Sequence, residues 1–458
     1  MNARWLAVLF ALYGLIATAI LAATMPPFQA ADEQDHFLRA SQIADGTLVG
    51  SRTAEIGADG TSHIIAGGLV DPAIEQAFAP FASIRWHPDV RVRRADWSAD
   101  VHWSDARVFM DFSNTALYPP FFYLPSAMSI WVGRKAKSSV LQTLIVARLF
   151  NGLIAVVLGI VAIVIAGGAA AWIFTVLTLP MSLSLMASAS QDALLLACSA
   201  IAGALLVRAL RQSKMQQGRL AAVLTLLLSL VAMARPPYVA LAALPLCLTN
   251  LAWRWRIAAA GVITACVAVW SLIVIANTWS DMFTVQWHGD ATAQLARLHA
   301  DPLFAIRVAV TTLQQLGRGY FEMFVGVLGW LDTRLPSAYY KAAGAMLLIA
   351  ATAAAAGLTG SRMRMPSLLL LPTGLTLSAV GVLAIIYVFG NSPGNAMVVG
   401  VQGRYFLPLA LAGTAMLPAL GNSSARRLHK PLLVLIAAFP IVSLVVVIRA
   451  IVLRYYLG

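Results

Sequence analysis

The chain has 458 residues, of which 60% are hydrophobic and 11% charged, and its mean hydropathy is +0.79. This balance excludes an ordinary soluble globular protein and indicates a polytopic membrane protein. The net charge of +13 does not indicate nucleic-acid binding, because the acids are confined to two long loops and Asp192, while short basic clusters without acid separate the apolar runs.

Residues 1–25 form an apolar run long enough to cross a bilayer. We expect an uncleaved first helix, and a cleaved signal peptide is the alternative, since Arg4 precedes the run and small residues end it. Residues 26–142 contain thirteen of the 19 acids and several Gly and Pro pairs, which predicts an exported loop that folds as a small ectodomain. Within it, "ALYPPFFYLPSAMSIWVG" (116–133) is short and rich in proline and aromatic residues, so we expect an interfacial helix there.

Ten further apolar runs predict an all-α polytopic protein with about eleven transmembrane helices. The runs begin near residues 143, 169, 192, 219, 238, 257, 337, 366, 404 and 431. Residues 143–277 then hold helices two to seven, and residues 337–458 hold helices eight to eleven. Residues 278–336 form a second exported loop with interfacial helices, although 303–331 is alternatively a re-entrant segment.

Charge predicts the orientation of these helices. With the N-terminus in the cytoplasm, an eleven-helix count puts the acid-free basic clusters inside, as the positive-inside rule favours. These clusters are at 211–219, 254–256, 362–364 and 425–430. The same count puts residues 26–40, Asp192, Arg235, the second long loop and Arg404 together on the outer face.

The stretch "PPFQAADEQDHFLRA" (26–40) crowds four ionisable groups just after the first helix. In a helix, Asp32, Asp35 and His36 would share one face, with Glu33 set off by about 100 degrees. Such a face can supply a general base, and all four side chains are candidate ligands of a divalent cation. The alternative is that the acids only cap the positive end of an interfacial helix.

Three more charged residues stand at predicted outer helix ends. Asp192 is the only acid outside the two loops, and an ionisable group at a membrane border is a functional candidate, with a helix N-terminal acid as the alternative. Arg235 and Arg404 have the forked N–H donors that suit a phosphate. Tyr405, adjacent to Arg404, is a further candidate for substrate binding. Taken singly, each arginine is alternatively a lipid-headgroup anchor. Arg148, inside the second predicted helix, is a weaker candidate.

Other signatures are missing from the sequence. It contains no P-loop, HExxH, GxSxG or cysteine metal motif. The three cysteines fall in apolar runs, so a disulfide framework is not expected.

Six stretches together carry a resemblance to a bacterial family of multi-spanning membrane proteins of unassigned function, which itself resembles the GT-C clan of polyprenyl-phosphate-dependent glycosyltransferases. They are "PPFQAADEQDHFLRASQIADGTL", "YPPFFYLPSAMSIWVG", "LPMSLSLMASASQDALL", "ARPPYVAL", "FVGVLGWLD" and "GVQGRYFLPL". The resemblance implies a GT-C-like fold, a bacterial inner-membrane location, a donor bound from the membrane and an acidic general base in the first exported loop. Asp32 and Glu33 match the clan's acidic pair, and Asp192 matches a later acid or amide. Ala31 and Asp35 depart from the pattern, so which carboxylate is the base stays open, as does metal dependence.

Joined with this resemblance, the residues predict an inverting membrane glycosyltransferase. Asp32, or failing that Glu33, would remove the acceptor proton, while Arg404 and Arg235 would hold the phosphate of a polyprenyl-phosphate sugar. The acceptor would be a glycan, a lipid or a protein. The alternatives are a transporter or flippase of lipid-linked sugar, which would be expected to show repeats and midplane polar groups, and a non-catalytic protein of envelope assembly.

Overall fold

A computed structural model describes residues 3–57, 60–98, 100–211, 217–281, 288–358, 364–420 and 423–457. The described chain is mostly helical, at 73%, and is consistent with a polytopic membrane protein. The predicted basic turns at 211–219 and 362–364 lie largely outside the described residues, and so do the side chains of 425–428.

Seven stretches of the described chain are long and apolar enough to cross a membrane. They are Ala3–Thr24, Val140–Leu177, Asp192–Arg211, Trp253–Asn277, Ser337–Gly357, Met365–Gly390 and His429–Leu457. Two of them, Trp253–Asn277 and Met365–Gly390, are mostly exposed, since only 22% of the residues in an apolar 18-residue segment of each are buried. Their outward faces carry exposed apolar side chains such as Leu272 and Leu377, which is the surface expected of helices that contact lipid.

The remaining predicted helices correspond to shorter or broken segments. Gly167, with φ +56, ends the helix Val140–Ala166, near the boundary predicted between the runs at 143 and 169. Pro236–Cys247 is a 3₁₀ helix of 12 residues that begins with two consecutive prolines and has a third, Pro245, near its end. At about 2.0 Å per residue it extends roughly 24 Å, close to the ~30 Å apolar core of a bilayer. The count of eleven therefore stays a prediction.

The other described helices of this part are short or less apolar. They are Ala170–Leu177, Pro180–Met186, Gln217–Ala234 and Leu407–Ala412, with 3₁₀ turns at Gly167–Ala169, Gly403–Phe406 and Gly413–Met416. The last long helix is continuous from Ser423 to Val452 and ends in a π turn, Leu453–Leu457.

The first long loop contains a small unit of mixed helix and sheet, and its export stays a prediction. A three-stranded antiparallel sheet pairs Ser51–Ile56 with Ser62–Val70, and Ser62–Val70 with Val108–Asp111. Its helical parts are Glu33–Ala44, Ala73–Ala82, Arg94–Ser98, Ser113–Ala116, Pro120–Tyr123 and Leu124–Lys135. Leu124–Lys135 has only 12 residues, too few to span a bilayer. The interfacial position predicted for 116–133 stays a prediction.

Two adjacent glycines lie at close contacts of this sheet. A Cβ at Gly67 would lie 1.8 Å from the carbonyl oxygen of Met110 on the neighbouring strand, so only glycine allows this approach. A Cβ at Gly68 would lie 2.1 Å from Nε2 of Gln42, so the helix Glu33–Ala44 packs on the sheet at this point. Buried Arg39 donates to the carbonyl oxygens of Leu48 and Tyr118, so the helix is fixed from both sides.

In the second long loop, the described residues 278–281 and 288–336 include the helices Ala291–Ala300 and Pro302–Gly326 and a two-stranded ladder between Val327–Leu328 and Thr333–Arg334. Pro302–Gly326 exposes an apolar stripe at Leu303, Ile306, Val310 and Leu313. The i, i+3, i+7 spacing of this stripe is typical of an amphipathic helix. The interfacial position predicted for this loop, and the re-entrant alternative for 303–331, stay predictions.

Candidate functional site

One cavity of about 550 Å³ lies where the first long loop meets the helix ends. Its polar wall is formed mainly by Asp32, Asp35, Arg85, Arg235 and Arg404. Its apolar wall is formed by the end of the helix Met365–Gly390 and by a tryptophan that follows Trp253–Asn277. The apolar side chains are Trp279, Val382, Ile385, Ile386 and Phe389. A cavity with these two walls suits a molecule that has a charged group at one end and an apolar chain at the other.

Asp32 and Arg404, 372 residues apart, meet in this cavity. Nη2 of Arg404 donates to Oδ2 of Asp32 at 2.5 Å. Asp32 precedes the helix Glu33–Ala44 with left-handed φ and ψ of 61 and 10, and its side chain makes no capping hydrogen bond. The carboxylate is therefore held for Arg404 and the cavity rather than for the helix end, with 28% of the side chain exposed.

The buried carboxylate of Asp192 contacts both Arg235 and Arg404. Its Oδ1 accepts a hydrogen bond from Nη2 of Arg235 at 3.0 Å, and its Oδ2 is 3.9 Å from Nη1 of Arg404. Arg235 also donates to the Tyr118 hydroxyl at 3.0 Å, and its guanidinium carbon lies 4.6 Å from the centre of the Tyr405 ring. The four charges alternate from Asp32 to Arg404 to Asp192 to Arg235, so the burial of each one is offset by an opposite neighbour.

Arg404 and Arg235 have N–H donors that make no hydrogen bond within the described chain. An arginine has five N–H donors, but Arg404 makes one hydrogen bond and Arg235 makes two within the described chain. Their Nε atoms, Oδ2 of Asp192 and Oε1 of Gln402 are buried without a hydrogen-bond partner there. Unfilled donors beside an open cavity are the arrangement that an anionic ligand would complete.

A tight contact positions Arg404. A Cβ at the preceding Gly403 would lie 1.9 Å from the Tyr320 carbonyl oxygen and 2.6 Å from the Phe324 nitrogen. The glycine therefore lets the turn Gly403–Phe406 pack directly on the backbone of Pro302–Gly326. In this way the second long loop takes part in orienting the arginine.

Glu33 is placed elsewhere, although the sequence makes it an alternative base. Both Glu33 and Arg148 have fully buried side chains, and they pair through two hydrogen bonds of 2.8 and 2.5 Å. The Ala189 nitrogen donates to the same carboxylate at 3.0 Å. Arg148 also donates to the carbonyl oxygens of Ala22, Met25 and Pro26. Because Glu33 does not line the cavity, its role in this structure is to lock the first long loop onto the long helices.

Asp35 and His36 both face the cavity, as their shared helix face predicts. Burial, with a smaller contribution from the charge of Asp32, raises the pKa of Asp35 to about 7, against the opposing hydrogen bond from Asn114 at 2.7 Å. Burial lowers the pKa of His36 to about 4, so the imidazole is neutral near pH 7. Nδ1 of His36 is 2.6 Å from the Tyr123 hydroxyl, and its ring is stacked on Tyr118.

The four candidate ligands of the first loop do not converge on a cation. In the part of the chain that the structure describes, no three His, Cys, Asp or Glu side chains form a group that could hold a metal ion. Glu33 turns to Arg148 and Asp32 turns to Arg404. We therefore derive no chemical step through a metal at these residues.

Several cavity residues lie outside the sequence-based set, among them Arg85, Asn114, Tyr118 and Trp279. Arg85 is in the middle of the first loop, where only the loop's tertiary fold brings it to the cavity. A weak signal exists for Tyr118, because it opens the stretch "YPPFFYLP" that forms part of the family resemblance.

Comparison with known proteins identifies the family. The model of a family described as "Predicted membrane protein (DUF2142)" matches residues 15–412, and the chain belongs to this family. No curated protein and no solved structure matches the chain.

Proposed function

We propose that this member of the DUF2142 family is a membrane glycosyltransferase with a GT-C-like fold. It would move a sugar from a polyprenyl-phosphate donor to an acceptor at the outer face of the bacterial inner membrane. In this proposal the chain crosses the membrane eleven times. The stretch 140–186 counts as two crossings, and the shorter segments Gln217–Ala234, Pro236–Cys247 and 403–416 count as one each. The cavity then opens on the outer side.

The observation that carries the proposal is the pairing of Asp32 with Arg404 in a cavity that is lined by both charged and apolar side chains. A lipid phosphate needs apolar contacts for its chain and fixed cationic donors for its phosphate. The apolar wall near Trp279 and Phe389 fits the first need, and the unfilled donors of Arg404 and Arg235 fit the second.

The chemistry assigned to these residues is one displacement. The acceptor oxygen forms a bond to the anomeric carbon as the bond from that carbon to the phosphate oxygen breaks, with inversion. Asp32 takes the acceptor proton, and the electron pair leaves with the lipid phosphate, whose charge Arg404 and Arg235 stabilise. Because the donor phosphate would share the Arg404 guanidinium, donor binding would release Asp32 from its ion pair for the acceptor hydroxyl.

The test uses the full chain in lipid nanodiscs with a panel of polyprenyl-monophosphate sugars and a membrane-extract acceptor pool, and follows lipid phosphate release and product mass. We expect one donor to react and Asp32→Asn to lower the rate by about 10²–10⁴-fold, the usual contribution of a general base. Asp105→Asn, which changes an exposed acid of the same loop, is the matched control. Unchanged transfer by folded Asp32→Asn protein would remove Asp32 as the base. Donor binding without transfer in any combination would favour a transporter.

A further inference from the structure

Arg85 is a cavity arginine that makes no ion pair with a carboxylate among the described residues. It lines the cavity with Asp32 and Asp35, and it interacts electrostatically with both acids. Arg235 and Arg404 each have an ion pair, but for Arg85 the described residues include no ion pair and no hydrogen bond to the guanidinium group. Its Nε is buried without a hydrogen-bond partner.

Two tryptophans hold this arginine in place of a carboxylate. The guanidinium carbon of Arg85 lies 4.0 Å from the centre of the Trp86 ring and 3.5 Å from that of the Trp330 ring. The indole N–H of Trp86 donates to the Trp330 carbonyl oxygen at 3.2 Å, and that of Trp330 donates to the Phe28 carbonyl oxygen at 3.1 Å. Aromatic faces attract a cation without cancelling its charge, so the group is oriented but its donors stay free.

The backbone around this clamp is costly to build. Trp86 and Leu331 have φ of 60 and 61, a left-handed conformation that bulky residues rarely adopt. Arg454, near the other end of the chain, ties the two segments together. It donates to the Ile84 carbonyl oxygen at 2.9 Å and pairs with Asp332 at 2.8 Å. Strained positions that the surrounding fold enforces cluster at binding sites, so the clamp has the character of a ligand site.

The position of Arg85 indicates which substrate it faces. Asp32 touches Arg404, the proposed ligand of the donor phosphate, while Arg85 is coupled to Asp32 and Asp35 and belongs to the first long loop. Arg85 and Arg404 therefore line the same cavity as the proposed base. Because the donor phosphate is assigned to Arg404 and Arg235, Arg85 is the cavity arginine left for the acceptor, whose hydroxyl must reach the same base.

We propose that Arg85, clamped by Trp86 and Trp330, is a second anion subsite that binds a phosphate or carboxylate group of the acceptor. The acceptor class is therefore an anionic glycan or lipid rather than a neutral one. The assignment of this anion to the acceptor rests on the proposed function. Anion binding at Arg85 itself can be measured without any sugar transfer.

The experiment titrates inorganic phosphate into the full chain in nanodiscs, with and without saturating farnesyl phosphate, and follows the shift of the thermal unfolding midpoint. Farnesyl phosphate occupies the donor site, so phosphate binding that persists in its presence reports a second site. We expect Arg85→Gln to weaken this second binding by about 10–100-fold, the loss of hydrogen bonds to a charged group. The binding of farnesyl phosphate itself should change little. Arg52→Gln, on an exposed strand of the same loop, is the matched control and should bind both probes as the unchanged protein does.

Three outcomes overturn the subsite. They are the absence of phosphate binding beside farnesyl phosphate in the unchanged protein, unaltered binding in Arg85→Gln, and equal weakening of both probes, which would place Arg85 in the donor site. If Arg85→Gln does not fold, Arg85→Lys decides: it keeps the charge but not the stacked planar fork. It should weaken phosphate binding by at least about threefold, and equal affinity would count against the subsite. A failed transferase assay with intact phosphate binding would reject the proposed function alone.

Discussion

Replacing Glu33 by Gln should destabilise the protein without removing a catalytic group. The change keeps the shape of the side chain but removes the charge that faces Arg148, and it presents an amide N–H where the arginine also donates. Both side chains are fully buried, and breaking such a pair from one side costs about 3–5 kcal/mol. Arg148 would keep its bonds to three carbonyl oxygens of residues 22–26, so the helices should still assemble.

The assay is thermal unfolding in nanodiscs, followed by intrinsic fluorescence, together with the transferase assay at a temperature where the variant stays folded. We expect a clearly lower unfolding midpoint and substantial transfer by the folded fraction. Glu55→Gln, which changes an exposed glutamate of the first strand, should alter neither property. A Glu33→Gln protein as stable as the unchanged chain but without activity would refute the structural role and return Glu33 to the catalytic set.

Two further predictions concern the supports of the site. Gly403→Ala should lower both stability and donor binding, because its Cβ would press on the Tyr320 backbone and displace Arg404; overpacking of this kind costs about 1–3 kcal/mol. Gly319→Ala, whose Cβ would meet no atom within 4 Å, is the control, and equal behaviour of the two variants in thermal unfolding would contradict the packing argument. Asp35 has a pKa of about 7 in the folded protein against an ordinary 3.8, so its contribution to stability is full below pH ~4 and is lost as pH rises through ~7. Asp35→Asn should therefore flatten the fall in unfolding midpoint between about pH 4 and 7, and an unchanged slope would show that Asp35 is not the group that titrates.

The sequence predicted the long helices because uninterrupted apolar runs have few structures open to them in a bilayer. The predicted number of crossings also placed Asp32, Asp192, Arg235 and Arg404 on the same face of the membrane. Their contacts in the structure agree with this grouping. The shortness of the helix Leu124–Lys135 was predictable as well, because prolines and aromatic residues limit its length.

Other features depend on partners far away in the chain and have no local signal. Glu33 and Asp32 are neighbours in sequence, and only the position of Arg148 shows that one is locked in the core while the other faces the cavity. Arg85 reaches the cavity through contacts with Trp330 and, indirectly, Arg454. The 3₁₀ helix Pro236–Cys247 was also not predicted, because apolar periodicity does not distinguish it from an α-helix.

The most direct test of the central claim is a comparison of Asp32→Asn with Asp105→Asn in sugar transfer from polyprenyl-monophosphate donors, with donor binding measured on the same samples. The account predicts that Asp32→Asn still binds the donor through Arg404 and Arg235 but loses transfer by about 10²–10⁴-fold, while Asp105→Asn matches the unchanged protein. Equal transfer by the two folded variants, or no transfer by the unchanged protein with any donor that it binds, would contradict it.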